Sequence, residues 1–177
     1  MGGGTIGYHL SERWTVSTGL YYTIKHYDSP GDVYHLPGYW ANNPAIKMQQ
    51  VNAVCNMWDI PLNIRYDIVS NKRTTLFAST GLSSYLMRKE DLHYYYTYNN
   101  NPYDKSYVYT KSKDYWLAIA NVSAGIEQNI GRGFSIQAEP FAKFSLADVG
   151  TGRIRLNSYG LFVGLKYRPF KVVHPHH

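Results

Sequence analysis

His26, Asp28 and Ser29 fall within one short stretch of the chain, and a histidine, an acid and a hydroxyl are the parts of a nucleophilic acyl-transfer site. They lie at the end of an alternating segment, where neighbouring side chains point to opposite faces of a strand, so the simpler reading is a loop entry. The trio keeps a lipid-modifying outer-membrane enzyme open as an alternative. Cys55 is the single cysteine, which excludes an internal disulfide framework and a cysteine zinc cluster. The His-rich end "HPHH" (174–177) has metal-binding composition without a scaffold, and no zinc ligand spacing is present. We therefore expect no catalytic residue, no metal and no cofactor.

Two further sets carry chemistry. Lys25, Asp59, Arg65, Asp67, Glu127, Glu139, Lys143 and Lys166 share the polar parity of alternating segments. Charges held on one face inside a barrel must be paired, and the spacing around "GRG" (131–133) sets Glu127 opposite Gln137. Arg65 with Glu127 or Glu139 is the expected pair, within a lumen network that also includes Lys25 and Lys143. Eight strands leave room only for side chains, so the network is expected to be a plug. The second set is tyrosine: Tyr94, Tyr96 and Tyr98, with Tyr107 and Tyr109 facing them across a hairpin closed by "NNNPYD". Tyrosine suits recognition of a glycan or protein ligand, and it equally suits cross-strand stabilisation of strands that extend beyond a membrane.

The elements that position these residues are strands. In "WTVSTGLYYTIKHY" (14–27), Trp14, Val16, Leu20, Tyr22 and Ile24 oppose Thr15, Ser17, Gly19, Thr23 and Lys25. The same alternation recurs at about 2–10, 58–68, 75–87, 115–130, 134–146 and 156–167. Phe77 spoils the polar face of one segment, and Leu117 with Ile119 blurs the upper end of another. Aromatics reach 16% and charged residues only 17%, a balance that favours sheets. The net charge of +6 is scattered along the chain, which argues against nucleic acid.

Either face of such strands could be the interior. A lipocalin-like soluble barrel turns its aliphatic face inward, and a membrane barrel inverts this. The polar face is rich in Gly and Ser, suited to a crowded lumen. The apolar face has aromatics near its ends, including Trp14, Trp58, Trp116 and Phe134, as in the girdles of an outer-membrane barrel. Short connections at 11–13, 69–74 and 131–133 alternate with long ones at 28–57, 88–114 and 147–155, the arrangement of periplasmic turns and extracellular loops.

At "GYHLSERWTVSTGLYY", "IPLNIRYDI" and "GIEQNIGRGFSIQAEPFAKFSL" the sequence resembles the small outer-membrane β-barrels of Bacteroidetes type, the PorT-like group. That resemblance implies an all-β, antiparallel up-and-down transmembrane barrel, eight-stranded in the complete protein. It supplies no catalytic residues. About seven strands are expected here, so the first strand should lie upstream of residue 1, leaving an open seam between 2–10 and 156–167. The start, Met-Gly-Gly-Gly, has neither the basic nor the apolar region of a signal peptide.

The expected organisation is a barrel domain over 1–170 and a periplasmic tail over 171–177, with loops extracellular and termini periplasmic. The expected role is a non-enzymatic surface-exposed anchor or sensor in the outer membrane of a Gram-negative cell. Its partners would be outer-membrane lipid, an upstream periplasmic or inner-membrane domain of the same chain linked to envelope signalling, and an extracellular glycan or protein. Arg65 is expected to be buried, and its replacement more damaging than that of Lys111.

Overall fold

The computed structural model describes residues 1–31, 43, 45–110, 113–149 and 155–168. Its strands are β1 (Gly2–His9), β2 (Trp14–Pro30), β3 (Ile46–Ser70), β4 (Thr74–Tyr98), β5 (Asn101–Thr110), β6 (Tyr115–Gly131), β7 (Phe134–Ser145) and β8 (Ser158–Tyr167). They form one curled half-barrel sheet in the order β1-β2-β3-β4-β6-β7-β8, with every pairing antiparallel. β5 pairs with the upper part of β4, above the stretch of β4 that pairs with β6. β1 and β8 are the two edges and are not paired with each other.

Two segments expected as loops contain strand. β3 begins at Ile46 instead of near residue 58, and β4 with β5 fills most of 88–114, which raises the strand count from seven to eight. The added hairpin turns at Asn99 and Asn100, both left-handed with φ of 50° and 67°; asparagine tolerates that conformation, which a tight two-residue hairpin turn requires. At the opposite end Gly131 and Gly133 have φ of 94° and 84°, with Arg132 at 53° between them. Asn71 is not left-handed; its N–H closes the 71–73 turn on the carbonyl of Thr74 at 2.9 Å. His174, His176 and His177, the tail 171–177 and Lys111 lie outside the described residues.

The faces sort by parity. Thr15, Thr23, Asp59, Arg65, Asp67, Ser83, Asn121, Glu127, Ser135 and Lys143 are buried on the concave side. Leu20, Leu62, Ile64, Leu76, Val122, Ile126 and Ile136 are exposed on the convex side. A β-bulge shifts the register between Met57↔Met87 and Asn56↔Lys89, so Arg88 is the extra residue of β4. Inward positions on β4 are odd below it (Phe77, Ser83, Tyr85, Met87) and even above it (Glu90, Leu92, Tyr94). A single inserted residue reverses which parity faces in.

Leu117 marks a second irregularity. Its φ is 49°, its N–H bonds Ser84 Oγ at 2.9 Å, and its side chain is exposed while Ile119 is fully buried. This left-handed residue is the physical source of the blurred alternation at the start of β6.

Candidate functional site

The lumen of the half-barrel holds its charges in two layers. Nearer the short turns, Arg65 of β3 lies 2.7 Å from Glu127 of β6 and 2.7 Å from Asp67. It also donates from Nη1 to Gln137 Oε1 at 3.3 Å. Its guanidinium sits 3.7 Å from the centroid of the Phe77 ring, a cation–π contact that explains an aromatic on a polar face. Gly125 makes this possible, because a Cβ there would stand 2.5 Å from Phe77 Cζ. Glu127 meets two more cations, Lys166 at 3.1 Å and Arg168 at 2.5 Å. Glu139 accepts from Ser123 Oγ and from Gln137 Nε2, each at 2.5 Å, so Gln137 links it to Arg65. Glu127 stands directly opposite Gln137.

The second layer centres on Asp59 and Lys143, which form an ion pair deep in the sheet. Lys143 also reaches Ser83 Oγ at 3.4 Å, and Ser83 accepts from Asn121 Nδ2 at 2.8 Å, which in turn donates to Asn63 at 3.1 Å. Lys25 donates to Tyr85 OH at 2.7 Å and Ser158 Oγ at 3.0 Å, bridging β2, β4 and β8 through the interior. The five residues expected in the network face the interior in three sets: Arg65, Glu127 and Glu139 are linked in the first layer, Lys143 lies in the second, and Lys25 bonds Tyr85 and Ser158 apart from both. Buried ion pairs of this kind hold only where each charge keeps several partners.

Above these layers the interior changes character. Val51, Ala53, Leu92 and Tyr94 form a buried apolar cluster flanked by Tyr27, Met48, Tyr96, Tyr107 and Tyr109. Cys55, Met57, Tyr85, Met87 and Ile119 form another directly beneath. Glu90 is fully buried between them and accepts from Tyr27 OH at 3.0 Å. Glu90 was not singled out in the sequence because the bulge at Arg88 reverses its parity. The outer face of the same strands is polar: Lys89 pairs with Asp91 at 2.8 Å, and His93 contacts Asp104 at 3.1 Å and Ser106 at 2.7 Å.

Of the tyrosines, Tyr94 is buried and packs edge-on to Tyr107 at 5.8 Å, and Tyr107 lies 6.4 Å from Tyr109. Tyr96 stacks on Tyr103 at 5.9 Å with 24° between planes. Tyr98 is exposed, as are Tyr95 and Tyr103. Tyr94 and Tyr107 therefore pack inward; Tyr98 and Tyr103 share the same face near the hairpin tip, and Tyr95 lies on the opposite face against His93.

The girdle candidates are all on the convex face. Trp14 pairs with Tyr66 at 4.7 Å and Phe134 with Tyr167 at 4.7 Å near the short turns. Trp58 pairs with Tyr22 at 5.2 Å towards the other end, where Trp116 is also exposed. Thr18 and Thr80 lie on the convex face between these ends, and each hydroxyl bonds a backbone carbonyl: Thr18 to Pro61 at 2.9 Å and Thr80 to Asn121 at 3.1 Å. His26 and Asp28 are exposed on the outer face of β2 and Ser29 is buried on the inner one. The structure therefore does not assemble them into a site. Among the described residues no group of His, Cys, Asp and Glu is placed to hold a metal ion. No protein family, curated protein or solved structure matches this chain.

Proposed function

We propose that this chain is a non-enzymatic outer-membrane β-barrel domain: a belt in hydrocarbon, a plugged lumen, and an extracellular β3–β4–β5 extension that serves as a surface anchor or sensor. The observation that carries the reading is the reversal of polarity along single strands. On β3 and β4, below Met57 and Met87, charges are buried and aliphatics exposed; above them aliphatics and aromatics fill the interior around the buried Glu90, while Arg88 and the Lys89–Asp91 pair lie on the outer face. One polypeptide obeys two opposite burial rules only if its two ends meet two solvents.

The pairing of Thr18 and Thr80 with carbonyls supports the same view, since a hydroxyl facing hydrocarbon must find its partner within the protein. Tyr22 and Tyr66 mark the two aromatic rims on the Trp58 and Trp14 sides. The eight-residue step between them, at ~3.3 Å per residue and tilted ~40°, spans about 20 Å, close to the ~25 Å apolar band of such barrels.

The lumen network supports a plug instead of a conduit. The recognition surface of the extension is the hairpin tip, where exposed Tyr98 and Tyr103, beside Tyr96, would meet an extracellular glycan or protein. The test is extraction of the chain from envelope membranes, followed by gel mobility with and without heating. Retention in the membrane until detergent is added, with faster migration of the unheated sample, is expected. Recovery as a folded monomer from the aqueous fraction would remove the membrane reading.

A further inference from the structure

We infer that the inner face of the β4–β5 hairpin tip binds an acidic glycan, whose sugar rings stack on Tyr98 and Tyr103 and whose carboxylate meets Lys105. This narrows the ligand of the recognition surface proposed above and rests on that reading of the tip. Register brings the groups together. Across the hairpin Tyr96 faces Tyr103, Tyr98 faces Asn101 and Tyr94 faces Lys105, and residues two apart on a strand share a face. Tyr94, at the lower end of the row, is buried, whereas Tyr98 and Tyr103 are 42 and 49% exposed. The row therefore leaves the core and emerges at the tip.

Ring geometry gives the stacking surface. The Tyr96 and Tyr103 rings lie 5.9 Å apart with only 24° between their planes, and their backbones are fixed by the ladder. Such rings form a platform that loses little freedom when it is covered. The C–H face of a pyranose suits a flat aromatic ring, and the hydroxyls around its rim need groups that both donate and accept. Side-chain amides do both, and Asn99, Asn100 and Asn101 are all exposed at the turn beside the platform. Glycine also meets the left-handed requirement at 99 and 100, so these amides add polar groups that the turn itself does not demand.

Charge and size select the class. The ammonium of Lys105 lies on this face, 5.1 Å from the centroid of the Tyr107 ring, and Lys105 is exposed. The hairpin's carboxylates lie elsewhere: Asp91 and Asp104 are on the opposite face with Lys89 and His93, and Glu90 is fully buried. The platform is therefore positive at its lower end, which favours a sugar acid over a neutral sugar. Two rings about half exposed offer roughly 200 Å² of aromatic surface. A stable protein interface covers ~800 Å² on each partner, so the patch matches one or two sugar rings better than a protein.

The test is retention of the folded 1–177 chain, in detergent or buffer, on an array carrying neutral oligosaccharides, oligosaccharides containing uronic or sialic acids, and peptides. Acidic glycans should be retained. The double variant Tyr98→Ala/Tyr103→Ala should weaken their binding by roughly tenfold or more, while Tyr95→Ala, on the opposite face, should change it by less than about twofold. Lys105→Met should weaken binding of the acidic glycan and leave binding of its carboxyl-reduced form unchanged. Protease resistance of the hairpin is compared with that of the parent chain, so that loss of the platform is separated from loss of the fold. Retention of no glycan, of neutral glycans alone, or of peptides in place of glycans would overturn the proposal, as would binding that survives the double variant with the hairpin intact. Extraction from membranes is scored separately, so failure of the glycan site and failure of the membrane reading give different results.

Discussion

On β3 and β4 the lower and upper halves bury opposite chemistry. Around Arg65 and Asp59 the interior is a lattice of ion pairs and amides; around Val51, Leu92 and Tyr94 it is apolar. In the lower half, stability depends on every buried charge keeping its partners, since the aliphatic face has no partner in the sheet. The upper half follows the ordinary rule that apolar burial drives packing. A mutation of a given type should therefore have opposite consequences a few residues apart on one strand.

The largest effect is expected from Arg65→Met. It leaves Glu127 and Asp67 short of a cation inside the lumen, and a loss of about 3–5 kcal/mol in detergent-refolding equilibria is anticipated. Next comes charge on the outer face. Leu62→Arg should cost about 2–4 kcal/mol and slow membrane insertion, whereas Asn52→Arg, outward on the same strand above the belt, should change stability by less than about 0.5 kcal/mol. Equal effects at the two positions would erase the distinction between the halves. Val51→Ala removes two buried carbons from the upper cluster and should cost about 1.5 kcal/mol, seen as faster proteolysis of the β4–β5 hairpin with the barrel band unchanged. Smallest is Lys89→Met, which breaks a surface pair with Asp91 worth about 0–1 kcal/mol.

Period-two alternation in 14–27, 58–68 and 134–146 was legible because each outer face there is a run of aliphatics, and parity plus the position of the "GRG" turn narrowed the partner of Arg65 to Glu127 or Glu139, of which the structure pairs it with Glu127. The extension was less legible. Above Trp58 and Met87 the polar and apolar faces exchange sides, so a search for the lower pattern ends there and 28–57 and 88–114 read as loops. Arg88 then shifts parity on β4 alone, which hides the inward Glu90 and places Tyr94 in a core instead of on a surface. Phe77 looked like an error in the polar face because its partner, the Arg65 guanidinium, lies on a neighbouring strand. Leu117 resists the pattern for a backbone reason, its left-handed conformation, which residue type does not announce.

The central claim is that the convex belt faces hydrocarbon and the extension faces water. It is tested most directly by quenching of an environment-sensitive thiol label with lipids brominated along their acyl chains. In a Cys55→Ser background, Ile64→Cys, Val122→Cys and Asn52→Cys place the label on the belt of β3, the belt of β6 and the outer face of the extension. Strong quenching at positions 64 and 122 with none at 52 is the expected result; equal quenching at all three, or none at 64 and 122, would contradict the account.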